Sequence, residues 1–424
     1  MADAIQLGKV KNIILSDPDR KYVIVSAPGK RYSEDNKVTD LLYLCKTHVD
    51  HNIPADHVFQ VICDRFRIME VNLNVDVNIS AELEEIRKNL RPGVTADYIA
   101  SRGEYLCGRL TAAYLGYDFV DPAGLICFDE RGRYLAEETQ KALSEELAKH
   151  ENAVIPGFYG SMPDGSIKTF SRGGSDVTGS LVAKAVNADI YENWTDVSGF
   201  LMADPRIVDN PKPIERITYK ELRELSYMGA SVLHEDAVFP VREVNIPINI
   251  RNTNEPDNPG TIISDTPAPN QNIITGVAGR KDFVVIALYK NMMNSEIGFV
   301  KRLLTILENN DISFEHLPSG IDTVCVIISE KQLEGKLQDL LYDIDKRLKP
   351  DSVEIYQDMA LIATVGLGMS RRLGVSATLF GALTEAEVNV RMIDQGSSEM
   401  NIIVGVENDQ FEAAIRAIYK AFVS

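Results

Sequence analysis

Short apolar runs and amphipathic stretches alternate through the first half of the chain. Residues 22–26 (YVIVS) form a continuous apolar run that ends at Ala27-Pro28-Gly29, and residues 152–159 (NAVIPGFY) form another. Residues 105–117 read as strongly helical. In 176–187, Val177, Leu181, Val182, Ala185 and Val186 fall on one side of a helix. Strands that are apolar throughout are covered on both faces. The pattern therefore predicts the α/β class, a mainly parallel sheet between helices. Such sheets bind ligands at the carboxyl ends of their strands, where loops enter helices.

Residues 251–271 change character and read RNTNEPDNPGTIISDTPAPNQ. That is turn chemistry with little to bury, so a linker or domain boundary is expected there. Beyond it the pattern repeats. A shift of 76 positions puts Gly298 on Gly374, Leu303 on Leu379, Leu307 on Leu383 and Ile312 on Val388. The same shift puts Gly320 on Gly396, Val326 on Ile402 and Ile328 on Val404. Each copy reads strand, Gly, amphipathic helix, strand, turn, strand and a second helix (337–348 and 411–422), a βαββαβ unit used twice. Two unrelated α+β layers are the alternative, which so many matches in register disfavour. The expected domains are 1–265, 272–350 and 351–424. Paired small modules can join their sheets and hold a ligand where they meet, which suggests regulation.

Composition narrows the class of function. A chain of 424 residues is long for one core, and a 45% hydrophobic share is that of a globular protein. The net charge of -18 disfavours nucleic acid, whose phosphates are bound mainly by Lys and Arg. No apolar run approaches the ~20 residues that span a bilayer, and residues 1–11 lack a signal-peptide pattern. The five cysteines are odd in number and form no C-x-x-C pair, which points to a reducing compartment, the cytoplasm by default. Cys45, His48, His51, His57 and Cys63 are neighbours in sequence, but their spacing fits no zinc-ligand pattern.

Several loops carry candidate chemistry. In Ser171-Arg172-Gly173-Gly174-Ser175-Asp176 the glycines let backbone N–H groups approach an anion, and a helix then begins. Arg172 can grip a carboxylate in two places, and Asp176 can orient a reacting group. A plain turn with Ser175 or Asp176 as helix cap reads equally well. Glu104, in Ser101-Arg102-Gly103-Glu104, is either a dipole partner at a helix start or the receiver of a substrate ammonium. Thr195 and Asp196 follow the chain's only tryptophan, Trp194. Asp196 suits a ribose or adenine edge, and Arg206 in Ala203-Asp204-Pro205-Arg206 suits a phosphate or closes an Asp-Pro turn. Ser26 ends the first apolar run, and Thr39 follows in KVTDLLY.

Taken in order, SAPGKR, VTDLLY, SRGE, GFYG, SRGGSD, WTDVSG, ADPR and GASVLH resemble the aspartate kinases. MMNSEIGF, PSGIDTV and RMIDQGSSEMNIIVGV resemble that family's tandem ACT modules, so the likeness covers essentially the whole chain. It implies an amino-acid-kinase fold followed by two ferredoxin-like ACT domains. It also implies transfer of phosphate from ATP, with Mg2+ held through the nucleotide phosphates, to the side chain of aspartate.

By the same resemblance, Arg172 and Glu104 hold the aspartate's charged groups, Thr39 contacts it, and Phe158 lines the pocket. Ser26 sits near the moving phosphoryl group, Asp176 organises the centre, and Gly173 and Gly174 approach the phosphates. Thr195, Asp196 and Arg206 lie along the nucleotide. Met293, Glu296, Gly298, Phe299, Ser313, Phe314, Glu315 and Asp322 border an effector pocket, for lysine first and threonine second. Glu315 or Asp322 is the expected partner of the effector's ammonium. A homodimer or dimer of dimers is implied.

The family's opening strand and Lys-Phe-Gly-Gly-Ser-Ser loop are not found ahead of Met1-Ala2-Asp3-Ala4, which suggests a start placed too late. Ser231 stands where many relatives carry Lys. A non-catalytic amino-acid-sensing subunit, or a kinase for another carboxylate on the same fold, are the alternatives.

Overall fold

The computed structural model describes residues 1–171, 173–230, 233, 235–267 and 272–423; Arg172 and Ser231 lie outside the described residues. In chain order the elements begin with α1 (Ala4–Leu15), β1 (Tyr22–Val25), α2 (Val38–Asp50), α3 (Asp56–Leu73), α4 (Ile79–Asn89) and α5 (Ala96–Leu115). Next come β2 (Asp118–Phe119), α6 (Ala136–Leu147), β3 (Ala153–Pro156), β4 (Tyr159–Ser161), β5 (Ile167–Thr169), α7 (Gly174–Ala185) and β6 (Tyr191–Thr195). Then follow β7 (Arg216–Thr218), α8 (Tyr219–Tyr227), α9 (Glu235–Arg242), β8 (Ile248–Asn252) and β9 (Thr261–Ser264). The C-terminal elements are β10 (Gly276–Tyr289), α10 (Phe299–Asn309), β11 (Thr323–Ser329), α11 (Glu330–Leu333), α12 (Leu337–Leu348), β12 (Ser352–Val365), α13 (Val375–Glu385), β13 (Met392–Asp394), β14 (Asn401–Glu407) and α14 (Phe411–Val423). They divide into two compact units, Met1–Gly199 with Val232–Asp265, and Phe200–Ser231 with Thr266–Ser424.

In the first unit β1 and β2 flank β3, both parallel to it, with Tyr22 opposite Ala153 and Val25 opposite Pro156. Val154 and Ile155 of β3 are fully buried, as a continuous apolar strand requires, whereas in β1 only Val25 is, and Tyr22, Val23 and Ile24 are half-buried. A second group pairs β6 parallel to β8, and β8 antiparallel to β9. Phe59, Ile62, Phe66 and Met69 of α3 share one core with Leu106 and Leu110 of α5.

Three elements differ from the sequence expectation. The apolar run 152–159 does not continue as one strand. Pro156 has no N–H to extend the ladder, and Phe158 turns the chain at a φ of 82°, so β4 starts afresh. Helix α5 begins at Ala96, because the Thr95 side chain accepts from Tyr98 N at 3.1 Å and caps it there. Glu104 is therefore in mid-helix, not at a helix start. Residues 251–271 hold the end of β8 and all of β9. The polar cluster forms the turns, while Ile262 and Ile263 supply a strand.

The second unit is built on the sheet order β11-β10-β12-β14-β13, antiparallel throughout. β10 and β12, each 14 residues long, run through both repeats. Phe283–Tyr289 lies between β11 and β12, whereas Gly276–Arg280 pairs only with the far end of β12. Phe299–Asn309 and Val375–Glu385 are the helices matched by the 76-residue shift, each entered through a left-handed glycine, Gly298 (φ 81°) or Gly374 (φ 87°). β11 and β14 are offset by 78 residues instead. The extra two residues leave inward-facing positions inward, because side chains alternate along a strand.

Phe200–Ser231 packs with this unit through Glu221. That buried carboxylate forms a capping box with Thr218 and also accepts from Thr275 Oγ1 at 2.6 Å and Leu367 N at 2.9 Å.

Candidate active site

A cleft of about 480 Å3 opens in the first unit. One wall is β1 with Ser26 and Ala27, and the other is β6 with Asp196. The first turn of α7, with Ser175 and Asp176, forms its floor. Both strands are edges of their sheets: among the described residues β1 pairs only with β3, and β6 only with β8.

Close backbone approaches build the floor. A Cβ on Gly157 would come within 2.7 Å of Ser175, and one on Gly174 within 2.5 Å of the Phe158 ring. The end of β3 is thereby pressed against the start of α7. Gly173 has a φ of 57° and is the N-cap, with no side-chain cap bond. Neither Ser175 nor Asp176 caps the helix, and both face the cleft instead. The Phe158 N–H donates to Thr178 Oγ1 at 3.1 Å, which holds the turn in place.

Asp176 is supported from β6. Asn193 Nδ2 donates to Asp176 Oδ1 at 2.9 Å and contacts Tyr191 Oη at 3.1 Å, while Tyr191 Oη donates to Asp176 O at 3.2 Å. At the end of the same strand Thr195 Oγ1 donates to Asp196 Oδ1 at 3.2 Å. Trp194 lies against the guanidinium groups of Arg20 and Arg251, 5.3 and 4.7 Å from its ring centre. Its indole N–H donates to Glu192 Oε2 at 3.0 Å, which also pairs with Arg20 at 2.7 Å.

Glu104 lies behind Ala27. It is 6% exposed, the Ala27 N–H faces its carboxylate, and Oε2 has no hydrogen-bond partner. Burial pushes its pKa up to about 7, against the pull of the Ala27 N–H and of Arg102. Arg102 is held among the rings of Tyr98, Tyr105 and Tyr159 at 4.7–5.4 Å. Thr39 is half-buried in the first turn of α2, next to Val38. The Val38 N–H donates to Pro28 O at 3.2 Å, and a Cβ on Gly103 would lie 3.4 Å from its side chain.

Of the residues singled out from sequence, Ser26, Asp176, Thr195 and Asp196 line one cleft. Gly173, Gly174 and Phe158 shape its floor, and Glu104 and Thr39 stand beside the Ala27–Pro28 turn. Arg206 belongs to the second unit, where its guanidinium pairs with Asp204 at 2.6 Å. Asn193, Tyr191 and Arg20 were not singled out. Nothing in their local sequence marks them, since their roles come from pairings 15 to 172 residues away.

In the second unit Met293 and Phe299 are buried core. Glu296 is paired with Arg302 and with Lys290 at 2.8 Å, and Lys290 holds its pKa below the usual carboxylate range. Asp322 Oδ1 accepts from Met292 N at 2.8 Å and fixes the loop ahead of Gly298. Ser313 bonds Gln332 through both its N–H and its hydroxyl, Phe314 is 39% exposed, and Glu315 accepts from Tyr227 Oη.

Comparison with known proteins agrees with this architecture. The amino acid kinase family matches residues 8–252, and an ACT domain matches residues 362–422. Aspartokinase 3 of Bacillus subtilis is 37% identical, over 100% of this chain and 96% of its own length. The crystal structure of Clostridium acetobutylicum aspartate kinase superposes with a TM-score of 0.93 at 53% identity, covering 100% of this chain and 97% of that one. Escherichia coli aspartokinase III, solved with aspartate and ADP, shares the fold at a TM-score of 0.75 and 24% identity, over 100% and 97%. The chain belongs to the amino acid kinase family. Within it the fold and the relatives define an enzyme of the aspartate kinase type, with an ACT-bearing C-terminal unit.

Proposed function

We propose that the chain transfers the γ-phosphoryl group of ATP to the side-chain carboxylate of aspartate, giving 4-phosphoaspartate and ADP. The observation that carries this reading is the convergence of Ser26, Asp176 and Thr195 on one cleft, with Glu104 beside its Ala27 wall. A carboxylate oxygen attacks the γ-phosphorus, the bond to the bridging oxygen breaks, and ADP leaves with that electron pair. The attacking group is already anionic and needs no general base. The protein's task is then to position two anions and to stabilise charge on the moving phosphoryl group.

The residues fit those roles. The first turn of α7 forms the cleft floor, and the unpaired N–H groups that open a helix suit phosphate oxygens there. Ser26 hydroxyl and the Asn193-held Asp176 border the same space. Mg2+, entering on the nucleotide phosphates, would neutralise their charge. Thr195 and Asp196 face the nucleotide. The ionised form of Glu104, with its unpartnered Oε2, receives the aspartate ammonium, and Arg172 takes a carboxylate.

The second unit reads as an effector sensor. Escherichia coli aspartokinase III has been solved with lysine and aspartate, and lysine is the first candidate here, with threonine next. The reaction would be the first step toward lysine, threonine and methionine. Paired ACT modules favour a homodimer or a dimer of dimers. The test is aspartate-dependent ADP release in wild type and in Glu104→Gln and Arg172→Ala variants. The reading predicts a raised aspartate requirement in both variants. An unchanged requirement contradicts it.

A further inference from the structure

In the second unit, Glu315 stands on the segment that pairs with β11, where Glu315 N donates to Ile327 O at 2.8 Å. Its side chain is only 9% exposed. A carboxylate so enclosed calls for a cation, because an ionised group taken out of water is costly unless paired. The nearest one shown, Arg280, is 4.0 Å away at Oε1. Oε2 instead accepts a hydrogen bond from the neutral phenol of Tyr227. A phenol is the weaker partner, since hydrogen bonds between two ionised groups are the stronger kind.

Tyr227 is placed to let go. It is the last residue of α8 and is 56% exposed, so its ring can turn into water without opening a core cavity. The other end of α8 is fastened by Glu221 through its capping box and its bonds to Thr275 and Leu367. Burial and the facing carboxylate push the Tyr227 hydroxyl pKa up to about 12, so it stays a donor throughout the neutral range.

We propose that Tyr227 is an internal competitor at the effector site, its hydroxyl occupying the Glu315 carboxylate that the ammonium of an incoming amino acid takes. This rests on the effector reading of the second unit. Binding then exchanges a phenol for an ammonium on Glu315 and releases the last turn of α8. The exchange reduces apparent affinity, because the ligand must displace a bond already made. It also gives the ligand a differential contact in two states, which coupling between sites requires.

The test is calorimetric titration of the full chain with L-lysine and with L-threonine, for wild type, Tyr227→Phe and the double variant Tyr227→Phe/Glu315→Gln. Tyr227→Phe removes the competing donor and keeps the ring. Whichever amino acid binds wild type is expected to bind Tyr227→Phe about tenfold more tightly. The double variant loses that gain, and kcat without effector is unchanged in Tyr227→Phe. Binding to wild type with an equal or weaker Kd in Tyr227→Phe overturns the competitor role alone, as does a gain that survives Glu315→Gln. If neither amino acid binds any of the three chains, the effector reading falls, and the competitor with it.

Discussion

Asn193 on β6 donates its side-chain amide to the Asp176 carboxylate on α7 at 2.9 Å, and so orients an acidic side chain on the cleft floor. If Asp176 organises phosphoryl transfer, its orientation matters as much as its charge. Asn193→Ala is expected to lower kcat about tenfold while changing the KM for aspartate little, and Asp176→Asn to lower kcat by about a hundredfold or more. Steady-state ADP release measures both. A kcat equal to wild type in Asp176→Asn removes the residue from the reacting centre.

Glu104 makes a pH prediction whose sign is determined by burial. Its carboxyl titrates near 7 in the fold, against an ordinary value of 4.5. Between those values the folded chain holds a proton that the unfolded chain has lost. Stability from this group is therefore present below about 4.5, declines as pH rises to 7, and stays absent above. Glu104→Gln removes the burial of charge and is expected to stabilise the protein by about 3 kcal/mol at pH 8, with little gain at pH 5. Thermal melts at the two pH values check this. In the wild type, KM for aspartate is expected to fall from pH 6 to pH 8 as Glu104 ionises, a dependence that Glu104→Gln loses.

Gly179 lies where α7 crosses β6, and a Cβ there would sit 2.5 Å from Tyr191 Oη. Tyr191 is bonded to Asp176 O and Asn193, so the clash reaches the cleft floor. Gly179→Ala is expected to cost roughly 1–3 kcal/mol of stability and to lower kcat along with it. Tyr191→Phe keeps the ring and loses only the hydroxyl bonds, so it lowers kcat with a smaller loss of Tm.

Much of the fold was legible because its signals are local or periodic. Continuous apolar runs marked β1 and β3, and the 76-residue shift found both α10 and α13 with their glycine entries. The start of α5 was not found, since a single Thr95 side chain sets it and the run after Glu104 looks helical from either point. β9 was hidden because its four residues sit inside turn chemistry and are drawn into a strand by pairing with β8, which no local pattern announces. At the site, glycine loops and ordered motifs drew attention to Ser26, Gly173, Gly174 and Asp176. The residues that aim them are ordinary in sequence: Asn193 and Tyr191 are strand residues, and Thr178 a helix residue, given a purpose by contacts across the fold. Tyr227 and Glu315 are 88 residues apart, and no local pattern joins them.

The most direct test is trapping of the acyl phosphate with hydroxylamine, with ATP and Mg2+ present and aspartate added or withheld. Aspartyl hydroxamate is expected to appear only with aspartate, to saturate with it, and to fall sharply in Asp176→Asn. Hydroxamate formed from another acid but not from aspartate, or undiminished in that variant, would contradict it.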